Sequence, residues 1–250
     1  MLTNPTRDKL QELRLTGMHA AYEEQRQSAA CDSLTFEERL GLLVDREYTE
    51  RHNRRLKTRL RGAKLRLPAA VEDIDYRHPR GLDKRLMLEL ATCQWLRQHH
   101  NLIITGPTGA GKTYLACALG NKACREGFTV QYHRAPRLFQ ELALARADGR
   151  YPKLMAALAK TDLLILDDWA TALLTDQQRR DLFEIAEDRH QCRSTLITAQ
   201  MPVKHWHETI GDPTLADAIL DRLIHNAHTI TLKGESMRKE KALQRPDNNS

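Results

Sequence analysis

The chain has 250 residues, 41% of them hydrophobic and 29% charged, with a formal net charge of +6. This length and apolar content suit one sizeable α/β domain with a small accessory domain, and exclude a wholly disordered chain. The positive balance points to a polyanionic partner or substrate, with phosphate the first chemistry to look for.

The N-terminal segment comes first in chain order. From Pro5 to about Arg66, Leu10, Leu13, Met18 and Tyr22, then Phe36, Leu40, Leu43 and Val44, recur at helical spacing, which predicts a helical domain over residues 1–67. Its last third carries Arg46, Arg51, Arg54, Arg55, Lys57, Arg59, Arg61, Lys64 and Arg66 against only Glu47 and Glu50. Arginine-rich faces suit bidentate phosphate contacts, so Arg51, Arg54, Arg55, Lys57, Arg59, Arg61 and Lys64 are candidate DNA contacts. The alternative is a solvated helix packed by Leu56, Leu60 and Leu65. Pro68, Pro79 and Gly81 punctuate a linker, after which LDKRLMLELATCQWL reads as a single amphipathic helix.

From Asn101 the pattern changes. The short runs LIIT, VQYH, LLILD, TLITA and HTITL alternate with helical stretches such as Tyr114 to Arg125 and Thr175 to His190. That alternation predicts βαβ units on a parallel sheet over residues 68–240, with ligands beyond the carboxyl ends of the strands. A second basic set, Arg134, Arg137, Arg146, Arg150 and Lys153, is expected between the second strand and the run LLILD, with Arg137 a further candidate DNA contact. The final residues, 241–250, read as a loose tail.

The run LIIT leads into GPTGAGKT, which fits G-x-x-x-x-G-K-[ST] and is followed directly by a helical segment. Gly106, Pro107, Thr108, Gly109, Ala110, Gly111, Lys112 and Thr113 are therefore the expected phosphate-binding residues. Glycines let backbone N–H groups turn toward phosphate oxygens, and the helix N-terminus adds partial positive charge there. Lys112 is expected at the β- and γ-phosphates, and the Thr113 hydroxyl at Mg²⁺. The run LLILDDW places two acids at the end of an apolar strand. Asp167 is expected beside Mg²⁺, and Asp168 beside the γ-phosphate, where it polarises water; the other reading of Asp168 is a turn or capping acid. Because side chains alternate along a strand, the two acids are expected on opposite faces. Gln200, just past TLITA, can bridge water and γ-phosphate or simply be solvated. In LADAILDRLIHNAHTITL the stripe Leu215, Ile219, Leu220, Leu223 and Ile224 leaves Arg222 on the opposite helix face, either exposed or reaching across a subunit boundary. Arg238 lies in a basic C-terminal run. The guanine-reading N-K-x-D pattern is absent, and a metabolite kinase has no use for the Arg46 to Arg66 segment.

Cys31, Cys93, Cys117, Cys124 and Cys192 form no C-x-x-C pair and no metal-ligand spacing, so reduced, mostly buried thiols are expected. The start MLTNPTRDK lacks the apolar stretch of a signal peptide, and no window approaches the ~20 apolar residues of a membrane span. A soluble cytoplasmic protein with no membrane partner is expected.

Together GPTGAGKT, LLILDDW and TLITAQMPVKHWHETIGDPTLADAILDRLIHNAHTITLKGESMRK closely resemble the IstB family, the helper ATPases of bacterial insertion sequences. A more distant resemblance is to the helicase loader DnaC. The likeness spans nearly the whole chain, including LRLTGMHAAYEEQ and TFEERLGLLVDREYTERHNRRL. It implies a P-loop AAA+ ATPase core with a parallel sheet, preceded by a small all-helical domain for DNA binding and oligomerisation. It further implies Arg222 as an arginine finger acting in trans, Gln200 as a first sensor and Arg238 as a second. Many relatives carry Asn at the first sensor and Glu at the second acid. The activity implied is slow ATP hydrolysis with Mg²⁺, stimulated by a partner. The implied partners are duplex DNA read without strong sequence preference, further copies of the chain assembled with ATP, and a transposase, in a bacterial cytoplasm and on the nucleoid when DNA is bound. A DnaC-like role at a replicative helicase is the competing function.

Overall fold

The computed structural model describes residues 5–28, 31 and 33–234. Arg238 and the tail 241–250 lie outside the described residues. The chain divides into two compact units at Thr58 and Arg59.

The first unit contains α1 (Pro5–Glu12), α2 (Thr16–Gln27) and most of α3 (Phe36–Ala63). Helical spacing was a sound guide to these elements, but their contacts rest on small and charged residues. Gly17, Ala21 and Glu47 are buried, whereas Phe36, Leu40, Val44 and Tyr48 are exposed. The Glu47 carboxylate accepts from Gly17 N at 2.8 Å, Met18 N at 3.1 Å and Arg51 Nε at 2.6 Å, so one acid satisfies the start of α2. Burial alone would raise the Glu47 carboxyl; the bonds from Arg51, Met18 and Gly17 outweigh it and hold the group below its ordinary value. A Cβ at Gly17 would lie 2.7 Å from Glu47 Cα, so α2 and α3 touch backbone to backbone there.

The second unit begins inside the last turns of α3. Arg59 Nε donates to Cys124 O at 2.8 Å, and Ala63 is fully buried. A short 3₁₀ turn (Val71–Asp73) follows. The segment expected as one helix is two, α4 (Lys84–Leu90) and α5 (Gln94–Arg97), separated by Cys93 at φ 58°. The break turns Trp95 and Leu96 inward, and the Trp95 indole closes the end of α4 by donating to Leu90 O at 3.0 Å.

Five strands then form one parallel sheet: β1 (Asn101–Thr105), β2 (Val130–Arg134), β3 (Leu163–Trp169), β4 (Ser194–Ala199) and β5 (Ala227–Thr231), in the order β2-β3-β4-β1-β5. All residues of β1 and β4 are buried, as continuous aliphatic runs in a sheet covered on both faces should be. On one face lies α6 (Lys112–Arg125), so close that a Cβ at Gly120 would come within 2.8 Å of Ile165 Cδ1. On the other, Leu164, Leu166 and Ile197 share a core with α7 (Ala135–Ala147), α8 (Tyr151–Lys160), α9 (Asp176–Arg189), α10 (Trp206–Ile210) and α11 (Pro213–Ile224). Cys93, Cys117 and Cys124 are buried, Cys31 is half-buried and Cys192 is exposed; all five are free thiols. Burial pushes Cys93 and Cys124 up to about 11. Among the described residues no helix is long and apolar enough to cross a membrane.

Candidate active site

The loop after β1 has the shape its glycines permit. Gly106, Gly109 and Gly111 adopt φ of 145°, 85° and 97°, the last immediately before α6 starts at Lys112. At Gly106 a side chain has no room, since a Cβ would fall 2.6 Å from Leu232 O. Lys112 is buried, and its Nζ donates to Gly106 O at 2.7 Å and Pro107 O at 2.9 Å. The ammonium thus lies against the loop that carries it. The Thr113 hydroxyl is 3.0 Å from both Asp167 oxygens, which joins the start of α6 to the end of β3 across β4.

Asp167 is fully buried and, besides Thr113, accepts from Tyr132 OH at 2.5 Å and Thr198 Oγ1 at 2.5 Å. Burial and the bond to Asp167 raise Tyr132 far above the phenol range, so it remains a neutral donor. Two strands flanking β3, together with α6, therefore each supply a hydroxyl to one carboxylate. This answers how a buried charge is tolerated at the end of an aliphatic run.

The expectation that Asp167 and Asp168 face opposite sides is overturned. In the β3–β4 register Leu166 pairs with Ile197 and Trp169 with Ala199, so Asp167 and Asp168 stand opposite Thr198 alone. That is a β-bulge, and Asp168 takes φ 59° to make it. Its N–H donates to Thr198 Oγ1 at 3.2 Å. Strict alternation fails here, and both acids lie near one guanidinium: Arg66 Nη1 is 3.7 Å from Asp167 Oδ2 and 3.8 Å from Asp168 Oδ2. Asp168 also accepts from Arg134 Nε at 2.8 Å.

These groups line a cleft of about 420 Å³, which Thr108, Gly109, Gly111, Lys112, Thr113, Asp168 and Gln200 share with Arg66, Leu67, Asp73, Asp75, Arg80, Tyr114 and Arg134. Arg80 is buried, and it ties the linker to the loop by donating to Asp75 O at 3.1 Å and Ala110 O at 3.1 Å. Arg66 and Arg134 were read from the sequence only as members of basic sets, and Arg80, Tyr132 and Thr198 were not singled out; no local pattern marks any of them as cleft residues, and only register and chain path bring them here. Arg134, expected in the segment after the second strand, is instead the last residue of β2.

A family model described as IstB-like ATP binding protein matches residues 8–245. The chain belongs to the IstB-like ATP-binding protein family. It is 55% identical over 239 residues to a putative insertion sequence ATP-binding protein of Sinorhizobium fredii, covering 96% of this chain and 98% of that one. It is 34% identical over 231 residues to the putative ATP-binding protein of insertion sequence IS21 from Pseudomonas aeruginosa, with 91% and 87% covered. Among solved structures, the DnaC helicase loader matches with a TM-score of 0.55 at 19% identity, over 68% of this chain and all of that one. AMPPCP-bound DnaA from Aquifex aeolicus gives 0.56 at 21%, over 72% of this chain and 56% of that one. At such identities the likeness bears on the fold alone: an α/β core with a parallel sheet.

For this IstB-like chain, the remaining candidates fall in different places. Gln200 sits just past β4, exposed at the cleft. Arg222 does not extend freely from α11. Its guanidinium lies 5.2 Å from the Phe183 ring, is paired with Glu187 and donates to Ala218 O at 2.8 Å. Of the α11 stripe, Ile219 and Leu223 are buried and Leu215, Leu220 and Ile224 half-buried, with Ala216 joining the core. In the basic helix Arg51 is paired with Glu47, Arg54 donates to Thr16 Oγ1 at 2.6 Å, and Arg59 holds Cys124 O. Arg55, Lys57, Arg61 and Lys64 are exposed, as is Arg137. The second basic set is partly neutralised within the chain: Arg146 pairs with Asp181 and Arg150 with Asp148.

Proposed function

We propose that this chain is an ATP-hydrolysing helper of DNA transposition, which assembles on duplex DNA with little sequence preference and engages a transposase. The observation that carries the nucleotide part is the convergence of Thr113 Oγ1 on both Asp167 oxygens at 3.0 Å, at the mouth of a glycine loop. A hydroxyl and a carboxylate are a hard oxygen pair suited to Mg²⁺, which keeps its other positions for phosphate and water. Thr113 and Asp167 would hold it, and bound there it would offset phosphate charge. Lys112 leaves the carbonyls of Gly106 and Pro107 to meet the β- and γ-phosphates. Asp168, with Gln200 beside it at the cleft, orients the attacking water. In the arrangement seen, one Asp168 oxygen is engaged by Arg134, so water activation requires that ion pair to part.

Arg222 is proposed as the group that reaches a neighbouring copy's γ-phosphate, exchanging Glu187 for it on assembly. Arg238 is proposed as a second phosphate sensor. Support for duplex DNA comes from the exposed cations Arg55, Lys57, Arg61, Lys64 and Arg137, and from 5% aromatic content, which leaves little for stacking on bases. Support for a transposase partner comes from relatives named as insertion sequence proteins. The competing DnaC-like role would show as binding to a replicative helicase or to single strands.

The test is ATP-dependent binding to long duplex DNA by wild type and Lys112→Ala, with electron microscopy of the assemblies. Wild type is expected to assemble with ATP and Mg²⁺ and the variant not to. Intact assembly by the variant, or binding confined to single strands, overturns the proposal.

A further inference from the structure

Arg66 reads in the sequence as the end of a basic DNA-facing segment. The fold puts it elsewhere. It lines the nucleotide cleft, its side chain 42% exposed, with Nη1 within 4 Å of both acids that end β3. Both contacts, 3.7 and 3.8 Å, exceed hydrogen-bonding length, so the guanidinium is attracted by the pair without being locked to either. A hydrogen bond with Tyr132, together with the nearby carboxylates of Asp167 and Asp168, outweighs the effect of burial and holds it in its charged form. Lys112 and Arg134 already have short bonds, to loop carbonyls and to Asp168. Arg66 is therefore a cleft cation poised between the carboxylate expected at Mg²⁺ and the carboxylate expected at the attacking water. The group that belongs between those two is the terminal phosphate, which offers a guanidinium the bidentate partner that neither carboxylate supplies at 3.7 and 3.8 Å.

The chain path gives this position a consequence. Arg66 follows the end of α3 at Ala63 by three residues, across Lys64 in a left-handed conformation (φ 50°). Residues 59–63 of that helix pack with the ATPase core through Arg59 and Ala63. The same helix carries the exposed cations Arg55, Lys57 and Arg61. A pull on Arg66 is thus applied directly to the C-terminal end of the basic helix.

We propose that Arg66 senses the γ-phosphate in cis: it exchanges the Asp167 and Asp168 carboxylates for the terminal phosphate of a bound nucleoside triphosphate, and so ties nucleotide state to the end of α3. The inference rests on the ATP-site reading above. A diphosphate ends before the position Arg66 reaches, so the residue distinguishes ATP from ADP.

The experiment is titration of the full chain with fluorescent ADP and fluorescent AMPPCP, each with Mg²⁺, for wild type, Arg66→Ala and Arg66→Lys. Arg66→Ala is expected to lose roughly ten- to a hundredfold in AMPPCP affinity, the scale of one charge-assisted hydrogen bond, with ADP changed less than twofold. Arg66→Lys, which keeps charge without the fork, is expected to lose part of that. Hydrogen exchange is expected to show amides 59–67 slowed by AMPPCP relative to ADP in wild type, and not in Arg66→Ala. Equal loss for both nucleotides, unchanged AMPPCP affinity, or an exchange difference that survives in Arg66→Ala each overturns the inference while leaving the ATP site standing. Failure of wild type to bind either nucleotide overturns both.

Discussion

Thr198 is the hinge of the two-acid arrangement, and its replacement by Val tests that arrangement with almost no change of shape. In the wild type its buried hydroxyl donates to Asp167 Oδ1 at 2.5 Å and accepts from the partly buried Asp168 N at 3.2 Å. Val removes one charge-assisted bond, about 1.5–3 kcal/mol, and leaves a backbone N–H without its acceptor, about 1–3 kcal/mol. Tyr132 and Thr113 still donate to Asp167, so the carboxylate is not stranded and the expected total lies in the lower half of the sum, about 3 kcal/mol. Thr198→Ser keeps the hydroxyl and gives up a methyl group, at about 1 kcal/mol. Urea unfolding followed by tryptophan fluorescence reads this directly, because Trp95, Trp169 and Trp206 are all buried in the larger unit. The bulge should also relax in Thr198→Val, moving Asp168 and slowing ATP turnover. A Thr198→Val protein within about 0.5 kcal/mol of wild type would refute the view that this hydroxyl holds both acids.

Other consequences are open to measurement. Glu47→Ala should destabilise the helical unit by about 2–3 kcal/mol, since it strips acceptors from Gly17 N and Met18 N; exchange of α2 amides should quicken while the larger unit keeps its urea midpoint. Asp168→Asn should leave ATP and DNA binding in place and stop turnover; hydrolysis at the wild-type rate would reduce Asp168 to a turn residue. If Arg222 acts in trans, mixed Arg222→Ala and Lys112→Ala subunits should regain some ATPase activity at shared interfaces, and no recovery at any ratio would count against it. Mild acid should weaken the fold through two partly buried histidines. Burial lowers His133 and, with repulsion from His100, His228 below the ordinary 6.5, while Glu141 and Glu89 pull the other way. The unfolded chain then takes up protons first, so this contribution is complete above pH 6.5 and lost as pH falls through the lower folded values. Urea midpoints should drop between pH 7.5 and 5.5, and a His133→Gln, His228→Gln double variant should flatten the drop.

Much of the protein is local in origin and was therefore readable along the chain. The glycine loop, the helix behind it, the aliphatic strands and the helical start all follow from residue type at short spacing, because backbone freedom, side-chain period and helix initiation act over a few residues. Thr113 and Asp167, each expected beside Mg²⁺, are brought to 3.0 Å of one another beyond the carboxyl ends of the strands. What the spacing misjudged were points where distant chain segments set the outcome. Alternation sent Asp168 away from Asp167, but opposite Thr198 the sheet inserts an extra residue and brings both acids to Arg66. One helix became two because Trp95 found Leu90 O. Arg59 and Arg66, indistinguishable in sequence from the other basic residues beside them, were claimed by Cys124 O and by the acids of β3. A charge run states how much positive charge is present, and only the path of the folded chain decides which of those charges face water, a carbonyl or a phosphate.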